Sequence, residues 1–501
     1  MVRSTTRTLL SLHPITRSSF SRSYAAQAAS ITAAKKEGDI SSVFVSLSGT
    51  KQKPLPQRFI TQKYRLIAGK EEALMTSWNR LLQKLEEEAR VIKSLGSIIV
   101  PEINYEDIDR PSTQFTEDHK RRGVALVRGC VSEKQALDWK ENIRAYLRAN
   151  PSTKAFPADK PAVYELYWTP SQVEARAHPN LLRTHKFLLS QWHSKDKNAL
   201  ISVNHPVSYA DRLRIRMPGD SGFSLGPHVD GGSCERWEAS GYGLGHVYDT
   251  IFAGEWENYD AFESSCRLPV VSDLYSGAGA CSMFRMYQGW MAMSHTSPGE
   301  GTLLVNPLFK LATAYYMLRP FFSPKRHSPG SAAYLDARNW QLEPEPTVEL
   351  QGASMGHTQE LNDALHPHLR LKDTMVHVPT VRPGDYIAWH CDTIHAVDGV
   401  HTGKTDSSVM YIPACPLTEA NARYLARQRQ AFIEGVPGND FPGGKGESQH
   451  IGRGSLEHVA RIGSDEGQQA MGLKKWDTEG SSTTAGEREV LRKANEVLGF
   501  S

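Results

Sequence analysis

Cysteine is scarce in this sequence. Six thiols, Cys130, Cys234, Cys266, Cys281, Cys391 and Cys415, are spread through 501 residues with no CxxC pair among them. That spacing excludes a zinc site built on paired cysteines and a redox dithiol, and a chain of this length needs no disulfide staples. Charge of one sign is not in excess either: 58 Lys and Arg stand against 55 Asp and Glu, a net charge of +3. Without a basic patch this gives no footing for a nucleic-acid partner. No run of about 18 apolar residues is free of charge, so no membrane-spanning helix is expected. No Walker-type GxxxxGK[ST] string occurs, which removes the usual starting point for a phosphate-binding loop.

Acidic residues are also missing from the front of the chain, where none precedes Glu37 while Arg3, Arg7, Arg17 and Arg22 sit among many Ser and Thr. That is transit-peptide composition, so residues 1–36 read as a mitochondrial leader, the alternative being a disordered leader on a cytoplasmic protein. Residues 37–60 read as a linker. Trp78, Leu82, Leu85, Ala89 and Ile92 recur at steps of four and three, which predicts a helix over about 70–95 with Gly96 placed to end it. A strand is expected over 123–130, then a helix from Ser132 to about Ala149, with Ser132 and Gln135 as a capping box. Residues 61–200 thus form a mostly helical region packing on a core at 201–416, and 417–501 a helical C-terminal region and tail.

The core carries the chemistry. Leu213 to Met217 alternates as a half-buried strand does, and a turn-rich stretch leads into Leu225-Gly226-Pro227-His228-Val229-Asp230-Gly231-Gly232. On an extended strand residues i and i+2 share a side, so His228 and Asp230 can reach one ion. Alone the pair is a weak signal. Downstream, Val378 to Trp389 reads as strand, Pro-Gly turn and strand, followed by His390, His395 and His401 and by a short strand at Ser408 to Ile412. Short strands with Pro, Gly and Asp at their turns describe an antiparallel sheet closing on itself, in which His395 could return to the metal position. Two imidazoles and one carboxylate on one face of an ion leave three positions open, a set suited to non-haem Fe(II).

The passages GPHVDGGS and PGDYIAWHCDTIHAVDG resemble the iron(II) and 2-oxoglutarate dependent oxygenases, in particular the phytanoyl-CoA hydroxylase-like branch. HVDGGSCERWE, FRMYQGW, SPGEGTLLVNPL and FPGGKGES look like the domain of unknown function 1479 family, over about residues 60–470. The resemblance implies an α+β fold with a double-stranded β-helix (jelly roll) core, flanking helices and long inserts at about 234–279 and 310–375 that form the lid. It implies His228, Asp230 and His395 as both catalytic residues and metal ligands, the Asp385 to His395 spacing favouring His395 over its neighbours. Fe(2+) as cofactor, 2-oxoglutarate as cosubstrate and an unidentified small-molecule substrate follow, with release of succinate and CO2.

One departure stands out. Such oxygenases carry a basic residue some ten to fourteen positions past the distal histidine, where this chain reads Asp406-Ser407-Ser408-Val409. A buried dicarboxylate needs a cation. Arg285 is the first candidate, Lys404 and the Ser408 hydroxyl follow, and Arg214 and Arg216 are further choices. Without such a cation the alternatives are a cupin-like metalloenzyme acting as isomerase or hydrolase without 2-oxoglutarate, and a jelly roll that only binds a ligand.

Overall fold

Short strands leave half of their backbone N–H and C=O groups unbonded until a neighbour is found, so the core segments pair with partners far along the chain. The computed structural model describes residues 40–48, 53–277, 281–441, 443–480 and 484–500. The leader reading of residues 1–36 lies outside these, while 37–501 gather into one unit.

Eight strands carry the core: β1 (Leu213–Arg216), β2 (Leu225–Val229), β3 (Tyr287–Ala292), β4 (Leu303–Val305), β5 (Val376–His377), β6 (Tyr386–His390), β7 (His395–Val397) and β8 (Ser407–Tyr411). An eight-stranded sheet holds β6, β3, β8 and β1 side by side, extended by Glu102–Asn104 and Val124–Arg128 beyond β6 and by Val163–Tyr164 and Ala155–Phe156 beyond β1. A five-stranded sheet runs Gln359–Glu360, β2, β7, β4, β5. Every core pairing is antiparallel, and the chain folds back on itself strand by strand. β1 pairs with β8, β2 with β7, β3 with β6 and β4 with β5. The mixed α+β class expected from the sequence is what forms.

Periodicity accounts for the main helix, Glu71–Leu95. Leu74, Trp78, Leu81, Leu85 and Ile92 are buried along one stripe, and Gly96, at φ 55°, ends it with its N–H on the Ile92 carbonyl. The strand at Val124–Arg128 and the helix Glu133–Ala149 also lie where the pattern placed them. Ser132 caps that helix by accepting from the Gln135 N–H; it is a simple cap, and the reciprocal half of the expected capping box is not formed among the described residues. The Gly-Asp turn before β6 is tied to its neighbour strand. Asp385 accepts from Gly129 N at 2.8 Å and from Arg128 at 2.7 Å. Gly384, at φ 93°, has its Cα so close to the Val131 carbonyl that a Cβ would overlap it.

The stretch read as linker behaves otherwise. Residues Ile40–Val43 and Val45–Ser48 are two short helical turns, with Ile40, Val43 and Phe44 buried. Val43 accepts from Thr358 N, and Ser46 N donates to Glu360 at 3.1 Å. The physical reason is plain in hindsight: Ile40, Val43, Phe44 and Leu47 repeat at helical spacing, so the segment has an apolar face to bury. C-terminal helices Glu419–Glu434 and Ala485–Val497 pack on the separate pair Ile201–Val207 and Cys415–Thr418. All six cysteines are unpaired. Among the described residues no helix is long and apolar enough to cross a membrane.

Candidate metal centre

β2 and β7 are neighbours in the small sheet, and their register sets His395 directly opposite His228. The two imidazole rings lie 4.1 Å apart between centroids. Asp230, one residue past the end of β2, turns its carboxylate to both: Oδ1 is 3.8 Å from His228 Nε2 and Oδ2 3.6 Å from His395 Nε2. One ligand atom from each of the three falls within 4.8 Å of the others. Both histidines are buried, while Asp230 is about a quarter exposed, toward the cavity.

Each imidazole has one nitrogen committed and one available. His228 Nδ1 meets the Gly226 carbonyl at 2.7 Å and His395 Nδ1 meets the Thr393 carbonyl at 3.1 Å. A carbonyl only accepts, so both Nδ1 atoms carry the hydrogen and both Nε2 lone pairs face the gap, the outer-shell arrangement that prepares histidine for a metal. Burial, helped by the His395 imidazole, lowers His228 to about 4, which keeps it neutral. Burial alone would raise the Asp230 carboxyl, but its surroundings, His395 and His228 beside it and the Arg285 guanidinium, outweigh that and hold the group below the usual carboxylate range. Two imidazole nitrogens and one carboxylate oxygen are thus brought together around one gap.

The turn after Asp230 is held by side chains that follow it in the chain. Arg236 donates to the Asp230 carbonyl at 2.6 Å and also to that of Gly232, and the Tyr242 hydroxyl donates to the Gly231 carbonyl. Gly232, at φ 100°, packs where a Cβ would come within 3.0 Å of the Ser272 carbonyl oxygen. Glu235 accepts from Ser233 N at 2.7 Å, so it does not pair with Arg236 as adjacency suggests.

Other histidines have different duties. His390 is stacked on Trp192 at 4.6 Å, with Nε2 on the Ala261 carbonyl and Nδ1 accepting from Asp392 N. His401 Nε2 meets the Thr405 carbonyl. His390, Cys391 and Asp392 form a second trio of potential ligands, yet Asp392 is consumed by Tyr248, Tyr259 and Arg267. That network fixes the turn that supplies the Thr393 carbonyl.

A cavity of about 140 Å³ opens beside the three ligands, lined from both sheets. It has roughly ten times the space one water needs, about 10–15 Å³, so it can admit a small molecule. Glu235, Ser272 and Gly277 of one insert and Gly356 to Thr358 of the other reach its wall. So do Ile40, Val43 and Phe44, and the Phe44 ring stands edge-on to His228 at 4.8 Å.

The candidate cations separate clearly. Lys404 is exposed on the turn before β8, and Ser408 gives its hydroxyl to Asp406; neither lines the cavity, which corrects their selection as cosubstrate contacts. The reason is register. Ser408 faces away from the cavity because its neighbours Val409 and Tyr411 alternate with it, and Tyr411 is a lining residue. Arg216 is consumed by Asp220 and the carbonyls of Asp398 and Gly399. Arg285 lines the cavity over the Tyr209 ring, with no hydrogen bond or ion pair among the described residues. Arg214 lines it too, is 2% exposed, and its Nε has no partner. Arg214 sits opposite Val409 across the β1–β8 pair, and Val409 is 409 − 395 = 14 positions past His395. Arg214 thus places a buried guanidinium on the strand beside the last one, level with Val409.

These features define an α+β protein with two mainly antiparallel sheets whose shared cavity is edged by two imidazoles and a carboxylate. The chain belongs to the Gig2-like family, whose pattern matches residues 53–473. It is 30% identical over 400 residues to the uncharacterized protein YbiU of Escherichia coli (strain K12), covering 77% of this chain and 88% of that one. Among solved structures, GlcNAc Inducible Gene 2 (DUF1479) of Candida albicans is 30% identical with a TM-score of 0.79, covering 90% of this chain and 96% of its own. A Salmonella typhimurium LT2 protein provisionally named an oxidoreductase is 28% identical with a TM-score of 0.71, over 84% of this chain and 98% of its own. The likeness to the domain of unknown function 1479 read from the motifs holds at the level of family.

Proposed function

We propose that the chain is an Fe(II)- and 2-oxoglutarate-dependent oxygenase of a small-molecule substrate, with β1 to β8 as its jelly roll. The mirror pairing of first strand with last, second with seventh, third with sixth and fourth with fifth supports the fold reading. One observation carries the function: two buried imidazoles with inward Nε2 atoms and a carboxylate share a cavity with a buried guanidinium that has no ion pair among the described residues.

The donor set fits ferrous iron, being two nitrogens and one oxygen with the remaining positions open to the cavity. When bound, iron with 2-oxoglutarate and dioxygen supplies oxidation of a substrate C–H bond coupled to release of succinate and CO2. The chain's own residues do the rest. His228, Asp230 and His395 hold the ion; Gly226 and Thr393 keep the imidazoles in the right tautomer; Arg236 and Tyr242 steady the turn that aims Asp230. Arg214 receives the far carboxylate of the cosubstrate, a buried charge-assisted pair that the unpartnered Nε awaits. Phe44 and Trp389, each packed on a ligand histidine, exclude water from that side of the site. With Arg214 in this role, the metalloenzyme reading without a cosubstrate loses the observation that favoured it.

Anaerobic titration with Fe(II) and then 2-oxoglutarate should produce a visible charge-transfer band that His228→Ala abolishes. Iron bound by the wild-type protein with no band on adding 2-oxoglutarate would refute the proposal.

A further inference from the structure

Among the cavity groups, the donors outnumber the acceptors. Besides Arg214, the Gln288 Nε2 and the Trp389 Nε1 are buried without an acceptor, and both residues line the cavity. Gln288 is 6% exposed and lies opposite Trp389 across the β3–β6 pair. Arg285, just before β3, brings a second guanidinium with no hydrogen bond or ion pair among the described residues. The lining acids do not answer it. Asp211 accepts from the Arg212 backbone and guanidinium at 2.7 and 3.2 Å, and Glu235 is bound to Ser233 N. Asp230 is the carboxylate of the metal set.

Charge sharpens the point. In the proposed complex, the ferrous ion is partly balanced by Asp230 and the remainder, with Arg214, by the two charges of 2-oxoglutarate. Arg285 is left over. Arg285 is half-buried, and the carboxylates it feels, Asp230 and Asp211, are committed to the metal set and to Arg212, so it has no carboxylate of its own, a costly arrangement inside a cavity. We infer that the substrate is an organic monoanion whose carboxylate sits on Arg285, with the Gln288 side chain as second donor.

This inference rests on the oxygenase reading for its charge count, and its test stands apart from it. The full-length protein, loaded anaerobically with Fe(II) and saturating 2-oxoglutarate, is titrated calorimetrically with matched pairs of probes: hexanoate and hexanamide, phenylacetate and phenylacetamide, 3-phenylpropionate and its amide. The expected result is that carboxylates bind roughly ten- to a hundredfold tighter than their amides, the worth of one charge-assisted contact. Arg285→Ala should erase that preference, Arg285→Lys retain part of it, and Gln288→Leu weaken carboxylate binding several-fold. The 2-oxoglutarate Kd should change less than threefold in all three variants. Amides binding as well as acids, no carboxylate binding at all, or a preference that survives Arg285→Ala in a protein that still melts cooperatively would overturn the inference. So would loss of 2-oxoglutarate, in place of the probe, on changing Arg285. If wild type shows no 2-oxoglutarate band, the oxygenase reading falls, and the same titrations on the iron-loaded protein alone still decide whether Arg285 selects an anion.

Discussion

Arg214→Met separates a cosubstrate anchor from a structural arginine by the sign of two effects. In the free protein the guanidinium is buried with an orphan Nε and no hydrogen bond or ion pair among the described residues, and burial lowers its pKa from the ordinary guanidinium value. Methionine keeps most of the apolar stem's volume and removes the unpaired donor and charge. An unsatisfied buried donor costs about 1–3 kcal/mol, so the variant without ligand should be more stable by about that amount. For a chain this long that is a rise of roughly a degree or two in Tm per kcal/mol. Cosubstrate binding should move the opposite way. Removing one partner of a buried ion pair costs about 3–5 kcal/mol, which is a loss of roughly two to more than three orders of magnitude in 2-oxoglutarate affinity. Thermal denaturation of the metal-free protein and anaerobic titration of the iron-loaded protein measure the two quantities on one preparation. A variant that melts earlier yet binds 2-oxoglutarate as wild type does would refute the reasoning.

Three further outcomes are expected. Arg236→Met strips the donors from the Asp230 and Gly232 carbonyls, so Mn(II) affinity measured calorimetrically should fall roughly 10- to 100-fold, the usual worth of an outer-shell contact; an unchanged affinity would remove Arg236 from the site. Phe44→Ala takes a ring from beside His228 and should speed removal of Fe(II) by a small chelator several-fold, with global Tm little changed. The third concerns pH. Burial chiefly lowers His119 to about 4 and His185 and His390 to about 3, against an unfolded value near 6.5. The unfolded chain then binds more protons, so stability is fully present above about pH 6.5 and is lost as pH falls toward 4 and 3, at up to about 1.4 kcal/mol per pH unit for each histidine. Denaturant midpoints taken at pH 7, 6 and 5 check it, and a midpoint that does not move would contradict the burial of these rings.

Local pattern revealed what local physics controls. The stripe of Trp78, Leu85 and Ile92 makes one helix face whatever surrounds it, and the i, i+2 step of His228 and Asp230 puts two ligand types on one side of any extended strand. The alternation at Leu213 to Arg216 likewise needs no partner to be read. The proposed cosubstrate cation was different in kind. Choosing Arg214 over Lys404 and Ser408 depends on which residue faces Val409 across two strands almost two hundred positions apart, and register is a property of the assembled sheet. The role of Arg236 was hidden for another reason. A cation that serves backbone carbonyls leaves no complementary residue type in the sequence to betray it. The segment at Ile40 to Leu47 had a legible helical spacing, but its eight residues are too few to stand out from a neighbouring stretch of Ser and Lys.

That segment has one more implication. The family pattern begins at residue 53, whereas Ile40, Val43 and Phe44 belong to the cavity wall. A recombinant form cut at the family boundary would retain every sheet strand and all three ligand residues while presenting a broader, wetter mouth. Substrate screens on such a trimmed form would report the tolerance of the shared scaffold, and only the longer chain would report the choice this particular protein makes.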